Sequence, residues 1–296
     1  MKLSSFVKLA RAPFILLLVL MAGLARAAEV PSAPGTNSRT TAGWSTLGAM
    51  PAPDWDGKRL LYHSAQGTLA ITPLSDDVVR VRFTTAPAFG RDHSYAVINH
   101  DLGTPTVKVT TGANVTTLAT ADLKVIVQQS PLRISFANAA GEMLDAADAQ
   151  RGISFSSDGA FSVARQLHDD EHVYGFGEKN GQLDKRGWHL GGYNLTMWNS
   201  DTYAYDSSTD PIYVSVPFYL VVRQGQAHGI FLDNTWRSTF DVGRQRQDLL
   251  TFGAAGGDLN YYFINVPSPK QVIERYTGLT GHMPLPPRWS LCFNIC

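Results

Sequence analysis

The sequence predicts an all-β protein: an antiparallel β-sandwich followed by a single C-terminal helix. Three observations lead there. Apolar and polar residues alternate with a period of two through several stretches after residue 46, the pattern of strands with one face on a core. Gly (26) and Pro (16) are frequent and 10% of residues are aromatic, which suits strands joined by turns better than a helical bundle. One stretch, 269–279, instead repeats apolar residues at helical spacing.

The first 27 residues are expected to be a signal peptide rather than part of the fold. Lys2, Lys8 and Arg11 form a basic n-region, Pro13 to Leu24 an apolar run, and Ala25-Arg26-Ala27 the small-x-small cleavage site. The apolar run is well short of the ~20 residues that span a bilayer, so the product is expected to be exported, periplasmic or extracellular, and free of the membrane. Residues 28–45, small, polar and Pro-containing, read as a flexible linker. The sandwich is expected over 46–280.

Within it, Val79-Arg80-Val81-Arg82-Phe83 alternates apolar residues with arginines, which predicts a strand with one wet face. Leu123, Val125 and Val127 repeat the pattern, and so do Leu132, Ile134 and Phe136 after Pro131. Asp158-Gly159, between Ile153/Phe155 and Phe161/Val163, predicts a hairpin with a two-residue loop. Pro217 inside the run Tyr213 to Val222 predicts a strand edge or a bulge. Gly229 to Leu232, Thr235 to Val242 and Leu259 to Val266 are further strands. Ser268 is placed to cap the helix and Pro269 fits its first turn; Val272, Ile273, Tyr276 and Leu279 share one face, and Gly278 and Gly281 can end it.

Charge excludes some functions. The whole chain balances 25 basic against 25 acidic residues, and losing the four basic residues of the leader leaves 21 against 25, a net −4. That offers no basic footprint for nucleic acid or anionic lipid. The two cysteines, Cys292 and Cys296, would lie ~13 Å apart on an extended strand, too far for a disulfide.

Between His172 and Asp241 the residues become specific. Tyr174-Gly-Phe-Gly-Glu-Lys179 is followed by Leu183-Asp-Lys-Arg186, then by Met197-Trp-Asn-Ser-Asp-Thr-Tyr203, Asp210-Pro-Ile-Tyr213 and Val216-Pro-Phe218. Gly229-Ile-Phe-Leu-Asp-Asn234, Gly256-Gly-Asp-Leu259, Pro269-Lys-Gln-Val-Ile-Glu-Arg-Tyr276 and Pro286-Pro-Arg-Trp289 continue the series. In order and spacing these stretches resemble the N-terminal region of family 31 glycoside hydrolases, the α-glucosidase and α-xylosidase group. The resemblance implies a sandwich shaped like galactose mutarotase, a linker helix and, over 281–296, the first strand of a (β/α)8 catalytic barrel. In the family that strand carries Gly, Gln and Arg; here Cys292 stands at the Gly position and the other two are missing.

Retaining glycosidases work with two carboxyl groups ~5–5.5 Å apart, and in a barrel these stand at the C-terminal ends of strands. The resemblance puts both on barrel strands later than the first. The chain is therefore expected to carry no catalytic residue, to need no cofactor or metal, and to be inactive alone. Its partners are expected to be the missing barrel and, in a complete enzyme, an α-linked glucoside or xyloside oligosaccharide.

The resemblance also implies that Asp201 sits on a loop over the barrel mouth and hydrogen-bonds the sugar, with Thr202 a secondary contact. A carboxylate can accept from two sugar hydroxyls, but an Asp in a loop can equally hold its own turn. Trp198 fits either a sugar platform or, better, an anchor of the loop to the core. His168-Asp-Asp-Glu-His172 reads as a solvated turn rather than a metal site. Gly175-x-Gly177 with Gly181 has the wrong spacing for a dinucleotide loop. Asp184-Lys185-Arg186 is open between a solvated run and pairs with carboxylates. Two other functions stand beside the glycosidase reading: a free-standing carbohydrate-binding sandwich, and a mutarotase-like enzyme using His172, His189 and Glu178.

Overall fold

The computed structural model describes residues 43–86, 88–187 and 191–291. The expected signal peptide, most of the linker, His189, Cys292 and Cys296 lie outside the described residues. Among the described residues no helix is long and apolar enough to cross a membrane.

The strands form three antiparallel sheets. The largest runs, in spatial order, His172–Gly177, Ser215–Arg223, Gln226–Leu232, Leu259–Val266, Val78–Thr84, Gly67–Pro73, Leu60–Ser64 and Asp54–Trp55. A six-stranded sheet runs Trp44–Thr46, Ile153–Ser156, Phe161–Gln166, Leu249–Ala254, Ser238–Val242 and Tyr193–Met197. A five-stranded sheet runs Met143–Asp145, Leu132–Asn138, Leu123–Gln129, Val115–Ala119 and Lys108–Thr111. One apolar core joins all three, with Leu69, Val81, Tyr219 and Phe263 from the first, Val163, Phe240 and Phe252 from the second, and Val125, Ile134 and Phe136 from the third. Phe136 stacks on Phe263 with ring centroids 3.9 Å apart, tying the five-stranded sheet to the eight-stranded one. Leu123, Val125, Val127, Leu132, Ile134 and Phe136 are all buried, as their alternation predicts.

The eight-stranded sheet has no wet face at Val78–Thr84, contrary to expectation. Its outer side is covered by a second core, in which Phe218, Phe231, Tyr262 and Ile264 meet Val272 and Leu279 of the helix. Arg80 is buried there: its guanidinium donates to Asn260 at 2.8 Å and to both oxygens of Asp92 at 2.7 and 2.9 Å. A buried cation needs such partners, and the alternation alone does not reveal that they come from a distant strand and a loop.

The helix runs Pro269–Thr280, capped by Ser268, whose side chain accepts from the Gln271 N–H, and closed at Gly281. Tyr276 stacks on Phe218 at 4.1 Å, but Ile273 is exposed, so the apolar face is narrower than the spacing suggested. Gly278 lies inside the helix and does not end it. The hairpin at Asp158-Gly159 has a three-residue loop, one longer than expected. Ser156 N–H donates to Ala160 C=O at 2.8 Å and Gly159, at φ 86°, forms the bulge that such loops carry. Among the described residues the first strand is Trp44–Thr46, which overlaps the last two residues of the expected linker. The strand expected from Thr235 starts at Ser238.

Candidate functional site

Residues 198–214 form a loop that leaves the edge strand Tyr193–Met197 and enters Ser215–Arg223 of the opposite sheet. Its base is clamped. Lys179, with its side chain 1% exposed, donates to Thr196 C=O at 2.6 Å, to Asp210 Oδ1 at 3.0 Å and to Ser215 Oγ at 3.3 Å. Asp210 Oδ2 accepts from the Thr196 N–H at 2.5 Å. Ser215 Oγ accepts from the Trp198 N–H at 2.9 Å, and Asn199 Oδ1 accepts from the Ser215 N–H at 2.8 Å. Both ends of the loop are thereby tied to one buried ammonium group.

Lys179 reaches this position through the Gly-x-Gly that precedes it. Gly175, Phe176 and Gly177 all have positive φ, and the pairing with Ser215–Arg223 shifts register between the two glycines. A Cβ at Gly175 would lie 2.6 Å from Phe218 O, and at Gly177 2.7 Å from Val214 O, so neither position accepts a side chain. Pro217 falls within the residues opposite this bulge, where its missing N–H breaks no ladder bond. The glycines therefore serve a bulge and not a phosphate.

Asp201 is exposed on the loop and its carboxylate makes no hydrogen bond or ion pair among the described residues. It does not hold a turn. Asp206, by contrast, accepts from the N–H and hydroxyl of Ser208 and the hydroxyl of Thr209, which keep its carboxyl below the usual range. The Thr202 hydroxyl is 3.1 Å from both Pro211 O and Ser200 Oγ, so it secures the loop's return. Trp198 is 49% exposed and does not anchor the loop in the core; the Arg237 guanidinium lies 5.9 Å from its ring centroid. Trp236, 56% exposed, lies against Gly256 and Gly257, where a Cβ would approach its ring to 2.9 Å. Trp198 and Trp236 share a cavity of about 540 Å³ with Asp233 and Tyr276. No role for Lys179, Asp210, Ser215 or Asn199 was legible beforehand, although all but Ser215 lie inside the quoted motifs.

The other constellations are structural. Asp184 accepts from the Val173 and Arg186 N–H groups and lies 2.8 Å from His172 Nδ1, while Lys185 is buried and donates to Asn180 O at 2.8 Å. The run is not solvated, and Arg186, itself buried, pairs with the exposed carboxylate of Asp169 at 3.7 Å, as the second of the two alternatives expected. In His168-Asp-Asp-Glu-His172, Glu171 is only 3% exposed and accepts from the His168 N–H at 2.9 Å. Burial pushes its carboxyl up to about 7. The segment is therefore not simply a solvated turn, and among the described residues no acidic, His or Cys cluster could hold a metal. Glu178 follows the strand that His172 begins, and six residues of strand span about 20 Å, so these two do not converge on one sugar.

Comparison with known proteins gives the architecture its place. Residues 68–241 match the glycosyl hydrolase 31 N-terminal galactose mutarotase-like domain. The chain belongs to that family. It is 38% identical over 234 residues to α-glucosidase 2 of Bacillus thermoamyloliquefaciens, covering 79% of this chain and 29% of that enzyme. It is 28% identical over 236 residues to the α-xylosidase XylQ of Lactiplantibacillus pentosus, covering 75% and 28%. The GH31 dextranase of Flavobacterium johnsoniae, solved with isomaltotriose, superposes with a TM-score of 0.77 at 30% identity, over 84% of this chain and 30% of the dextranase. The chain thus spans less than a third of each of these three proteins, and corresponds to the N-terminal domain of α-glucosidase- and α-xylosidase-like enzymes.

Proposed function

We propose that this chain is the substrate-loop domain of an exported hydrolase of α-linked glucoside or xyloside oligosaccharides, and that it turns over no substrate without a catalytic barrel. The observation that carries the reading is Asp201: an acceptor-only group without a partner among the described residues, on a loop whose two ends are fixed by Lys179 and its neighbours. A held carboxylate offers sugar hydroxyls an acceptor at low entropic cost. Export rests on the basic n-region, apolar run and Ala-x-Ala site of residues 1–27. Inactivity rests on the resemblance, which places both catalytic carboxyl groups on the barrel, whereas residues 68–241 match the N-terminal domain.

The test joins this sandwich to the barrel of the Bacillus relative. Asp201→Ala should raise KM and lower kcat/KM by about ten- to a hundredfold, ~1.4–2.7 kcal/mol, the worth of a charged hydrogen bond. Glu142→Ala, an exposed carboxylate on the hairpin after Leu132–Asn138, is the control. The chain alone should release no nitrophenol from aryl α-glucosides or α-xylosides. Wild-type kinetics in the Asp201 variant, or turnover by the isolated chain that survives repurification, would refute the assignment.

A further inference from the structure

A groove of about 900 Å³ lies between the loop tip at 205–210, residues 180–182 and the edge strand Tyr193–Met197. Neither Asp201 nor Trp198 lines it. We propose that this groove is a second carbohydrate site, one that binds a short neutral α-glucan segment through the sandwich alone. The choice of an α-glucan rests on the functional reading above; the groove itself does not.

Its floor offers unused hydrogen-bonding groups. Tyr193–Met197 ends the six-stranded sheet, so every second residue turns its backbone N–H and C=O away from the sheet. At Thr196 those two groups are taken by Asp210 and Lys179. Asn194, two residues back, turns the same way, and its side-chain amide has no partner among the described residues. An Asn amide and an outward peptide group together present donors and acceptors at the spacing of neighbouring sugar hydroxyls.

The groove is also rigid. The Tyr193 hydroxyl accepts from the Gln182 N–H at 2.9 Å and keeps its own proton to donate. Its ring sits where a Cβ on Gly181 or Gly187 would come within 2.9 or 2.8 Å, and the Lys185 ammonium lies 5.2 Å from the ring centroid. On the loop side Tyr205, 46% exposed, is held edge-on against Tyr213 at 5.6 Å and leaves an aromatic surface for the C–H face of a pyranose. Such preorganisation lowers the entropic cost of binding a flexible ligand.

The chemistry selects a neutral ligand. Asp210 is paired with Lys179, and the remaining charges of the lining, the Asp206 carboxylate held in its own turn and the Arg244 guanidinium, are opposite in sign, so the groove carries no net charge. A peptide added as a strand would need a run of free edge groups, but the Lys179–Asp210 clamp closes this edge two residues from Asn194. The volume lies in the range of small-ligand sites, ~300–1,000 Å³, and suits a short oligosaccharide.

The test is titration of the whole chain with isomaltotriose and with maltotriose, followed by calorimetry and by amide chemical shifts. We expect one of them to bind with a Kd on the order of 1 mM. Asn194→Ala and Tyr205→Ala should each weaken it at least fivefold with unchanged thermal unfolding, and Glu142→Ala should not. Tyr205 lies in an exposed loop, so its variant remains informative even if Asn194→Ala destabilises the strand. Absence of binding by the folded chain at ~20 mM of either sugar would overturn the proposal, as would binding indifferent to both variants. Binding abolished by Asp201→Ala would place the sugar on the loop instead, sinking the groove while leaving the loop reading intact.

Discussion

Replacing Glu171 by Gln should stabilise the sandwich at neutral and alkaline pH and leave it unchanged in acid. Glu171 is 3% exposed, and burial raises its carboxyl from 4.5 to about 7. The folded protein therefore binds a proton that the unfolded chain has released between those values. Stability from this group is fully present below pH ~4.5 and is lost as pH rises towards ~7. At 1.36 kcal/mol per pH unit the loss is at most ~3 kcal/mol. The Glu171→Gln variant never ionises at this position, and the new amide carbonyl can still accept from the His168 N–H. Its advantage should thus be near zero at pH 4.5 and about 1–3 kcal/mol at pH 8, or a few degrees in Tm. The difference between the proteins must be measured, because His228 tilts the wild-type curve the other way. Buried against Phe263, its imidazole is lowered to about 4, so its contribution is lost as pH falls from 6.5. Over pH 4.5–6.5 the two slopes nearly cancel. Urea unfolding of both proteins from pH 4.5 to 8, followed by tryptophan fluorescence, reads the difference. An equal gap at pH 4.5 and pH 8 would refute the claim that Glu171 takes up a proton on folding.

Lys179→Met should destabilise the chain by about 2 kcal/mol in urea unfolding, less than a fully buried pair because Asp210 is 18% exposed and keeps the Thr196 N–H. In the rebuilt enzyme it should raise KM as Asp201→Ala does, by freeing the loop; unaltered stability would remove the clamp from the argument. The isolated chain should bind a hydrophobic dye more than a self-contained domain of its size does, because Trp198, Tyr203, Trp236, Leu285 and Trp289 are all exposed. A monodisperse chain without dye uptake would favour a free-standing module.

Much of the fold was legible because strand periodicity and burial report the same thing in Leu123–Gln129 and Leu132–Asn138. The failures came where a second layer covers a sheet. Arg80 looks like a solvent residue in its own strand, and only Asp92 and Asn260, 12 and 180 residues away, make it an interior one. Glu171 and Lys185 misled for the same reason: charge in a local run says nothing about burial that distant strands impose. At the site, the motif resemblance singled out Asp201, which is exposed and has no hydrogen-bond or ion-pair partner among the described residues. It was silent on the clamp, because Lys179, Asp210 and Ser215 meet only once two sheets are in register.

That register explains why the Tyr174-Gly-Phe-Gly-Glu-Lys179 stretch has its particular composition. Phe176 has φ 73°, a conformation that costs a non-glycine residue about 1 kcal/mol or more. Its ring is fully buried, stacked on Tyr219 at 5.4 Å and edge-on to Phe240 at 5.2 Å, and burial of that size is worth ~2–3 kcal/mol. The strain is therefore held in place by the core, and the glycines on either side let the backbone pass within contact distance of the neighbouring strand. Without the bulge the strand would continue straight and carry Lys179 past the loop; with it, the ammonium arrives between Thr196, Asp210 and Ser215. A loop of seventeen residues, 198–214, is long for a compact domain and would ordinarily sample many conformations. Here a single buried cation sets both of its ends, so the sandwich by itself fixes the base of the loop that carries Asp201.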